Sequence, residues 1–232
     1  SATMADSGSL TFDRSDWHAQ VDEEVVDPDL EIIDPHHHLW QIPCADYLLE
    51  NLCPDTGSGH RFVKTVFVEF HASYPDYGPD HLRPVGETEF VAGLAADSNE
   101  GPGARIAGIV AYADLRLGDR LPEVLDAHVE TGRGLFRGIR HALSHATHPE
   151  VLAIPGGAPA GLSADEAFRD GVRMLGRLGH TYESWHYHEQ MPDFIDLARS
   201  APDTTIILDH FGTPLGVGPW ATQRDEIFEQ WK

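Results

Sequence analysis

The chain has 232 residues, of which 41% are hydrophobic and 23% are charged, a composition typical of a globular domain with a sizeable core. Its 38 acidic and 16 basic residues give a formal net charge of −22, which argues against nucleic acid and anionic membranes as partners because both would be repelled. No apolar run reaches the ~18–20 residues of a membrane span and no signal peptide is recognisable, so we expect a cytoplasmic protein.

The first 29 residues are polar and acidic, and we expect a flexible segment over 1–29 followed by one domain over 30–232. In that domain, short apolar runs alternate with helical patterns. The predicted strands are Glu31–Asp34, Thr65–Glu69, Arg105–Ala111, Leu135–Arg140, Thr181–His186 and Thr204–Asp209. The predicted helices are Glu87–Ala96, Leu121–Glu130, Ala164–Leu178 with Ser163 as its N-cap, and Pro192–Ser200.

This alternation of strands and helices predicts an α/β fold in which helical crossovers join parallel strands. The spacing of the strands is typical of a (β/α)8 TIM barrel, which averages ~250 residues. The sequence ends at Lys232, soon after the sixth strand, so we expect about six βα units and a barrel incomplete at its C-terminus. The loops His71–Gly86 and Ser144–Leu162 follow strands and are candidate substrate loops, although the second is equally well explained as a surface insertion.

A histidine motif, Asp34-Pro35-His36-His37-His38, follows the first predicted strand. Side chains alternate along a strand, so His36 and His38 are expected on one face and His37 on the other. Two imidazoles on one face can bind a divalent metal or an anionic substrate. Consecutive histidines also occur in purification tags, but tags lie at termini; a structural histidine cluster in a turn remains the alternative.

Ionisable residues recur at the ends of later predicted strands. Glu69 ends the second strand, His186 and His188 accompany the end of the fifth, and His210 follows the sixth. A parallel barrel gathers all of these at its carboxyl end, where imidazoles and carboxylates can hold a metal and polarise a carbonyl group or activate water. A metal-storage protein is not favoured, because the histidines are spread over strand ends and do not form a low-complexity tract.

Taken together, these motifs resemble the amidohydrolase superfamily, in particular the amidohydrolase 2 group of TIM-barrel metal-dependent hydrolases. That group includes lactonases that act on sugar lactones and pyrone dicarboxylates, and more distantly a decarboxylase. The stretches that carry the resemblance are Asp34–Trp40, Val66–Glu69, Gly108–Val110, Arg137–His141, His188–Pro192 and Ile207–Gly212.

The resemblance implies a role for each of these residues. His36, His38 and His188 would bind the metal, and His188 and His210 would be catalytic. The substrate-binding positions that it implies are Arg140, Glu69 and His186, with Arg140 gripping a carboxylate. The alternative for Glu69 is a structural partner of a ligand histidine. Family members also carry a catalytic Asp at the end of strand eight, which this sequence does not reach.

The resemblance further implies hydrolysis of a lactone or similar cyclic ester of a small carboxylated or sugar-derived substrate. Zinc is the expected cofactor, with manganese and a metal-free mechanism as alternatives. A metal-dependent non-oxidative decarboxylase and a non-catalytic truncated barrel are the competing interpretations. We expect a small molecule as partner, and a homo-oligomer only by analogy with the scaffold.

Overall fold

The computed structural model describes residues 19–43 and 45–232. The predicted flexible segment therefore lies outside the described residues as far as residue 18, and residues 19–29 form turns and irregular chain. The strands are β1 (Glu31–His37), β2 (Trp40–Ile42), β3 (Ala45–Tyr47), β4 (Arg61–Val68), β5 (Arg105–Ala111), β6 (Phe136–Arg140), β7 (Thr181–Ser184) and β8 (Ile206–Leu208). The α-helices are α1 (Leu49–Thr56), α2 (Val85–Ser98), α3 (Leu121–Thr131), α4 (Glu166–Arg177), α5 (Met191–Ser200) and α6 (Arg224–Trp231).

Six strands form one parallel sheet in the order β1-β4-β5-β6-β7-β8, which is also their order in the chain. Helices α2, α3, α4 and α5 lie in the successive crossovers from β4 to β8. The α/β class and the parallel strands are therefore confirmed. The sheet is curled, as expected for part of a (β/α)8 barrel. No helix within 19–43 and 45–232 is both long and apolar enough to cross a bilayer.

The two faces of the sheet carry different side chains. Phe67, Ile109, Ile139 and Tyr182, from four successive strands, are fully buried and belong to one apolar cluster that also includes residues of α2, α3, α4 and α5. Because side chains alternate along a strand, the neighbours of these residues point away from the helices. This second face, which we call the inner face, is turned away from the helices and carries polar groups at the carboxyl ends of the strands. The candidate site lies there.

Several boundaries differ from the sequence predictions. Ser163 does not cap α4, because it lies in a short 3-10 turn; the helix begins later, with Asp165 as N-cap accepting a hydrogen bond from the backbone N–H of Phe168 at 2.9 Å. The strand predicted over Thr181–His186 ends at Ser184. The β2–β3 hairpin, α1 and α6 were not predicted, since elements this short give little periodicity.

Candidate active site

The carboxyl ends of the six parallel strands meet at one edge of the sheet, beside a cavity of about 480 Å³. Residues at or just after the ends of β1, β4, β6 and β8 line this cavity: His38, Glu69, His71, Arg140 and His210. Ile154, Gly157 and Pro159 form another part of the wall. Both loops that the sequence offers as substrate loops therefore contribute to the cavity.

His36 and His38 lie on the same face of β1, as the strand alternation predicts. Their Nε2 atoms are 3.3 Å apart, whereas His37 is buried on the other side, near the ring of Phe67. The backbone carbonyl of Val68 accepts a hydrogen bond from Nδ1 of His38 at 2.7 Å, which leaves the Nε2 lone pair directed towards His36.

Burial keeps these two imidazoles neutral. It is the main reason that the pKa of His36 is lowered to about 3, and the Arg140 guanidinium lowers it further. Burial likewise lowers the pKa of His38, against a smaller opposing effect of its hydrogen bond to Val68. A neutral imidazole is the form that binds a metal or accepts a hydrogen bond, so both rings are available for either purpose at neutral pH.

Two buried carboxyl groups lie next to His36. Asp209 Oδ1 is 3.8 Å from His36 Nδ1, and single donor atoms of His36, Glu183 and Asp209 all lie within 4.8 Å of one another. Burial, together with the neighbouring Asp209 charge, raises the pKa of Glu183 to about 8, and burial raises the pKa of Asp209. Asp209 Oδ2 is buried without a hydrogen-bond partner among the described residues, so it is available to a ligand.

Glu183 was not among the predicted site residues. It lies inside the short strand β7, opposite Arg140 in the register with β6. Strand alternation offered a usable signal, because it directs Glu183 to the face opposite the buried Tyr182. A carboxylate on the inner face of a parallel sheet is buried, and a buried charge requires a partner.

Arg140 connects the site to Glu69. Its Nε donates to Glu69 Oε1 and its Nη2 to the Glu69 backbone carbonyl, both at 2.7 Å. Its Nη1 lies 3.3 Å from His36 Nε2 and 3.6 Å from Asp209 Oδ2. The guanidinium fork that we expected to grip a substrate carboxylate is thus occupied by Glu69, and Arg140 orders the protein's own groups at the cavity wall.

His71 follows the second strand end, where ionisable residues are expected to converge, but the resemblance gives it no role. Its Nε2 lies 2.7 Å from Glu69 Oε2, so Glu69 bridges Arg140 and His71. The sequence offered one signal, a histidine two positions after a strand-end glutamate.

The structure brings His210 to the predicted cluster. Its ring centroid is 4.6 Å from that of His36, and it lines the cavity together with His38. Its backbone has a left-handed φ of 50°, which directs the chain across the end of β8. The predicted site residues that lie together are His36, His38, Glu69, Arg140 and His210.

His186 and His188 lie elsewhere. His186 is fully buried, with Nδ1 2.8 Å from Ser184 Oγ and its ring stacked on Phe194. His188 accepts a hydrogen bond from the backbone N–H of Leu215 at 3.3 Å. Neither is among the cavity-lining residues, because β7 ends at Ser184 and the chain then turns, so strand alternation no longer sets their directions.

Comparison with known proteins gives one curated relative and several similar structures. No family model matches the chain. The "Uncharacterized protein y4mH" of Sinorhizobium fredii is 33% identical over 226 residues, which cover 88% of this chain and 67% of that protein.

Two of the similar solved structures are those of an amidohydrolase and of a probable dicarboxylic acid hydrolase. An amidohydrolase from Burkholderia multivorans with bound zinc has a TM-score of 0.55 at 24% identity, over 86% of this chain and 62% of that one. A probable 2-pyrone-4,6-dicarboxylic acid hydrolase from Acinetobacter baumannii with citric acid bound has a TM-score of 0.53 at 14% identity, over 86% of this chain and 64% of that one. The chain thus spans less than two thirds of either structure. The fold implied by the resemblance to amidohydrolases is confirmed.

Proposed function

We propose, from the premise that this chain belongs to the family of the y4mH protein and has the amidohydrolase fold, that it hydrolyses a lactone or similar cyclic ester. The supporting feature is the convergence of two neutral imidazoles and a buried carboxylate beside one cavity. A cavity of about 480 Å³ suits a small polar substrate, either carboxylated or sugar-derived.

The residues present fit a divalent cation. The separation of 3.3 Å between the Nε2 atoms of His36 and His38 equals that of two ligands on a tetrahedral zinc, about 3.3 Å for Zn–N bonds of about 2.0–2.1 Å. Asp209 Oδ2 is buried, has no hydrogen-bond partner among the described residues and lies 3.6 Å from Arg140 Nη1, so it is a further candidate ligand, and Glu183 lies within reach. His36 would hold the ion with His38, or with Glu183 and Asp209, whose donor atoms and that of His36 lie within 4.8 Å of one another. A bound ion would polarise a carbonyl group and lower the pKa of water.

The chain's own groups account for orientation and proton transfer. Asp209 is the base that takes a proton from the attacking water, since burial raises its pKa towards the working range of a general base. His210, on the cavity wall, donates a hydrogen bond to the substrate carbonyl. Arg140, held by Glu69, keeps a fixed positive charge beside Asp209, which favours the ionised form of Asp209 that can accept the proton.

A metal-free version of the same hydrolysis is the second candidate, and one observation favours it. The Arg140 guanidinium already lies 3.3 Å from His36 Nε2, the atom that a metal would need. In this version Arg140 and the histidines alone polarise the carbonyl group, and Asp209 remains the base.

Metal content and product analysis test the proposal, using the longest natural reading frame that contains this sequence. We expect about one equivalent of zinc or manganese per chain, lost in His36→Ala and retained in His148→Ala, a histidine paired with Glu150 away from the cavity lining. An active protein without metal would support the second candidate.

A panel of sugar-derived and carboxylated lactones then tests the reaction. We expect ring opening to the hydroxy acid without release of carbon dioxide. Release of carbon dioxide would instead identify a decarboxylase. A folded, metal-loaded protein that opens none of the lactones would refute the proposed hydrolysis.

A further inference from the structure

A second ionisable pair borders the cavity and has no part in the proton transfer described so far. The side chain of His71 is 55% exposed and lines the cavity, whereas that of Glu69 is 5% exposed. Because Nε2 of His71 faces Glu69 at 2.7 Å, the opposite ring nitrogen, Nδ1, is the one available to a molecule in the cavity.

The position of His71 is fixed from several sides. Its φ of 61° is left-handed, a conformation that costs a non-glycine residue about 1–3 kcal/mol. A single carboxylate oxygen of Glu87 stabilises this turn by accepting hydrogen bonds from the backbone N–H groups of Phe70 and Ala72, at 3.1 and 2.7 Å. The residues on both sides of His71 are thus tied to helix α2.

Two aromatic rings hold the imidazole ring itself. The ring of His71 stacks on Tyr74, with centroids 5.8 Å apart, and contacts Tyr112 at 4.6 Å. Burial raises the pKa of both tyrosines, so both remain neutral at physiological pH. They position the ring without competing for its proton.

The charged groups that face His71 come from β4, α2 and β6. The Glu69 carboxylate, whose Oε2 lies 2.7 Å from Nε2, raises the pKa of His71, partial burial lowers it, the Glu87 charge raises it, and Arg140 lowers it. The outcome is a raised pKa. Glu87 has itself a pKa raised to about 7 by burial, so its contribution grows as the pH rises. Glu69 is therefore the group that favours the imidazolium form.

We propose that His71 is the general acid of the proposed hydrolysis and that Glu69 is its positioning residue. The inference rests on the proposed function and adds the residue that protonates the leaving group. A carboxylate that holds one ring nitrogen of a histidine fixes its tautomer and stabilises the imidazolium, while the other nitrogen exchanges a proton with the substrate.

The atoms and protons of the step balance. The water oxygen forms a bond to the carbonyl carbon, and Asp209 takes one water proton. The bond from the carbonyl carbon to the ring oxygen breaks, and that oxygen takes the proton from Nδ1 of His71. Asp209 then loses its proton to solvent and His71 regains one from solvent, so one water is consumed for each ring opened.

A pair of substrates with different leaving groups tests this role. An aliphatic lactone leaves as an alkoxide, which needs a proton, whereas dihydrocoumarin leaves as a phenolate, which does not. In His71→Gln we expect kcat/KM for the aliphatic lactone to fall about 10²–10⁴-fold and for dihydrocoumarin less than about 10-fold. The decline of wild-type activity at alkaline pH, where His71 loses its proton, should disappear from the variant.

The matched control is His81→Gln. His81 forms the same kind of pair, with its Nε2 3.0 Å from Glu123 Oε2, but it is not among the cavity-lining residues, so kcat/KM should not change. Equal losses on both substrates in His71→Gln would overturn the acid role while leaving the proposed function intact. A wild-type protein that opens neither lactone would instead refute the proposed function.

A second measurement does not depend on turnover. Long-range ¹H–¹⁵N NMR reports the tautomer and the pKa of His71 in the wild type and in Glu69→Gln. We expect a lower His71 pKa in the variant, because the carboxylate that stabilises the imidazolium is gone. An unchanged pKa would overturn the pairing on which the acid role depends.

Discussion

Arg140→Met tests the buried ion pair that connects the site. Methionine keeps much of the side-chain length but carries no charge, so the Glu69 carboxylate, 5% exposed, would be left with His71 as its charged partner, and Asp209 would lose the guanidinium 3.6 Å away. Removing one member of a buried pair costs about 3–5 kcal/mol, because the other charge stays buried. We expect a loss of that size in the free energy of unfolding.

Urea denaturation followed by circular dichroism measures this loss, in a double-mutant cycle with Glu69→Gln. The double variant no longer buries the Glu69 carboxylate without its guanidinium, so it should recover part of the stability, whereas Asp209 still lacks Arg140. Groups in direct contact show coupling energies of about 0.5–3 kcal/mol. We expect Arg140 and Glu69 to lie in the upper part of that range, because the hydrogen bond from Arg140 Nε to the Glu69 carboxylate is 2.7 Å long and buried.

Arg61→Met is the matched control. Arg61 and Glu31 form an ion pair of 2.8 Å, but both side chains are more than half exposed, so its loss should cost less than about 1 kcal/mol. The reasoning would be refuted if Arg140→Met cost no more than this control. It would equally be refuted if the effects of Arg140→Met and Glu69→Gln were simply additive.

Three further substitutions address packing, capping and titration. Gly138→Ala should lower the free energy of unfolding by about 1–3 kcal/mol in a urea titration, because its Cβ would clash with Thr181 on the adjacent strand. Asp165→Ala should lower it by about 1 kcal/mol, since the N–H of Phe168 loses its cap. Burial raises the pKa of Glu183 from 4.5 in the unfolded chain to about 8 in the fold, so the wild type loses stability as the pH rises over that window. Glu183→Gln has no such group, so its free energy of unfolding should rise relative to that of the wild type between pH 4.5 and about 8. Urea titrations at both ends measure this difference.

Each of these three predictions has a control variant or an outcome that would contradict it. Gly93→Ala, in α2 with open space around the added Cβ, should leave stability unchanged or raise it by up to about 1 kcal/mol. Ser163→Ala should not reproduce the capping loss; if it did and Asp165→Ala did not, the cap would be misassigned. A stability difference between Glu183→Gln and the wild type that stays constant with pH would contradict the raised pKa.

The sequence predicted the framework of the sheet because buried parallel strands are continuous apolar runs, such as Arg105–Ala111, that carry a clear signal. The His36–His38 pair was predictable for the same reason, since both residues stay within the alternation at the end of β1. His186 and His188 lie outside the cavity lining because that alternation stops with the strand, two residues before the first of them.

Glu183 was not predicted, and His71 was given no role, for a different physical reason. Strand alternation directs Glu183 away from the buried Tyr182, but a four-residue strand shows too few residues to establish which face is buried, and the register with Arg140 resolves this. His71 depends on a left-handed turn tied by Glu87, a contact 15 residues apart in sequence. Such positions follow from tertiary packing, which local periodicity does not report.

The order of the sheet has a consequence for behaviour in concentrated solution. β1 and β8 are its outer strands, and within 19–43 and 45–232 no strand pairs with their outer edges, where Ile33, Ile207 and Leu208 are 57%, 39% and 38% exposed. Unpaired edges are templates for strand addition between molecules. Repulsion from the net charge of −22 opposes such contacts, but the Debye length over which that repulsion acts falls from ~10 Å at 0.1 M salt to ~3 Å at 1 M. We therefore expect colloidal stability to fall as ionic strength rises, so that turbidity sets the upper salt limit for handling this protein.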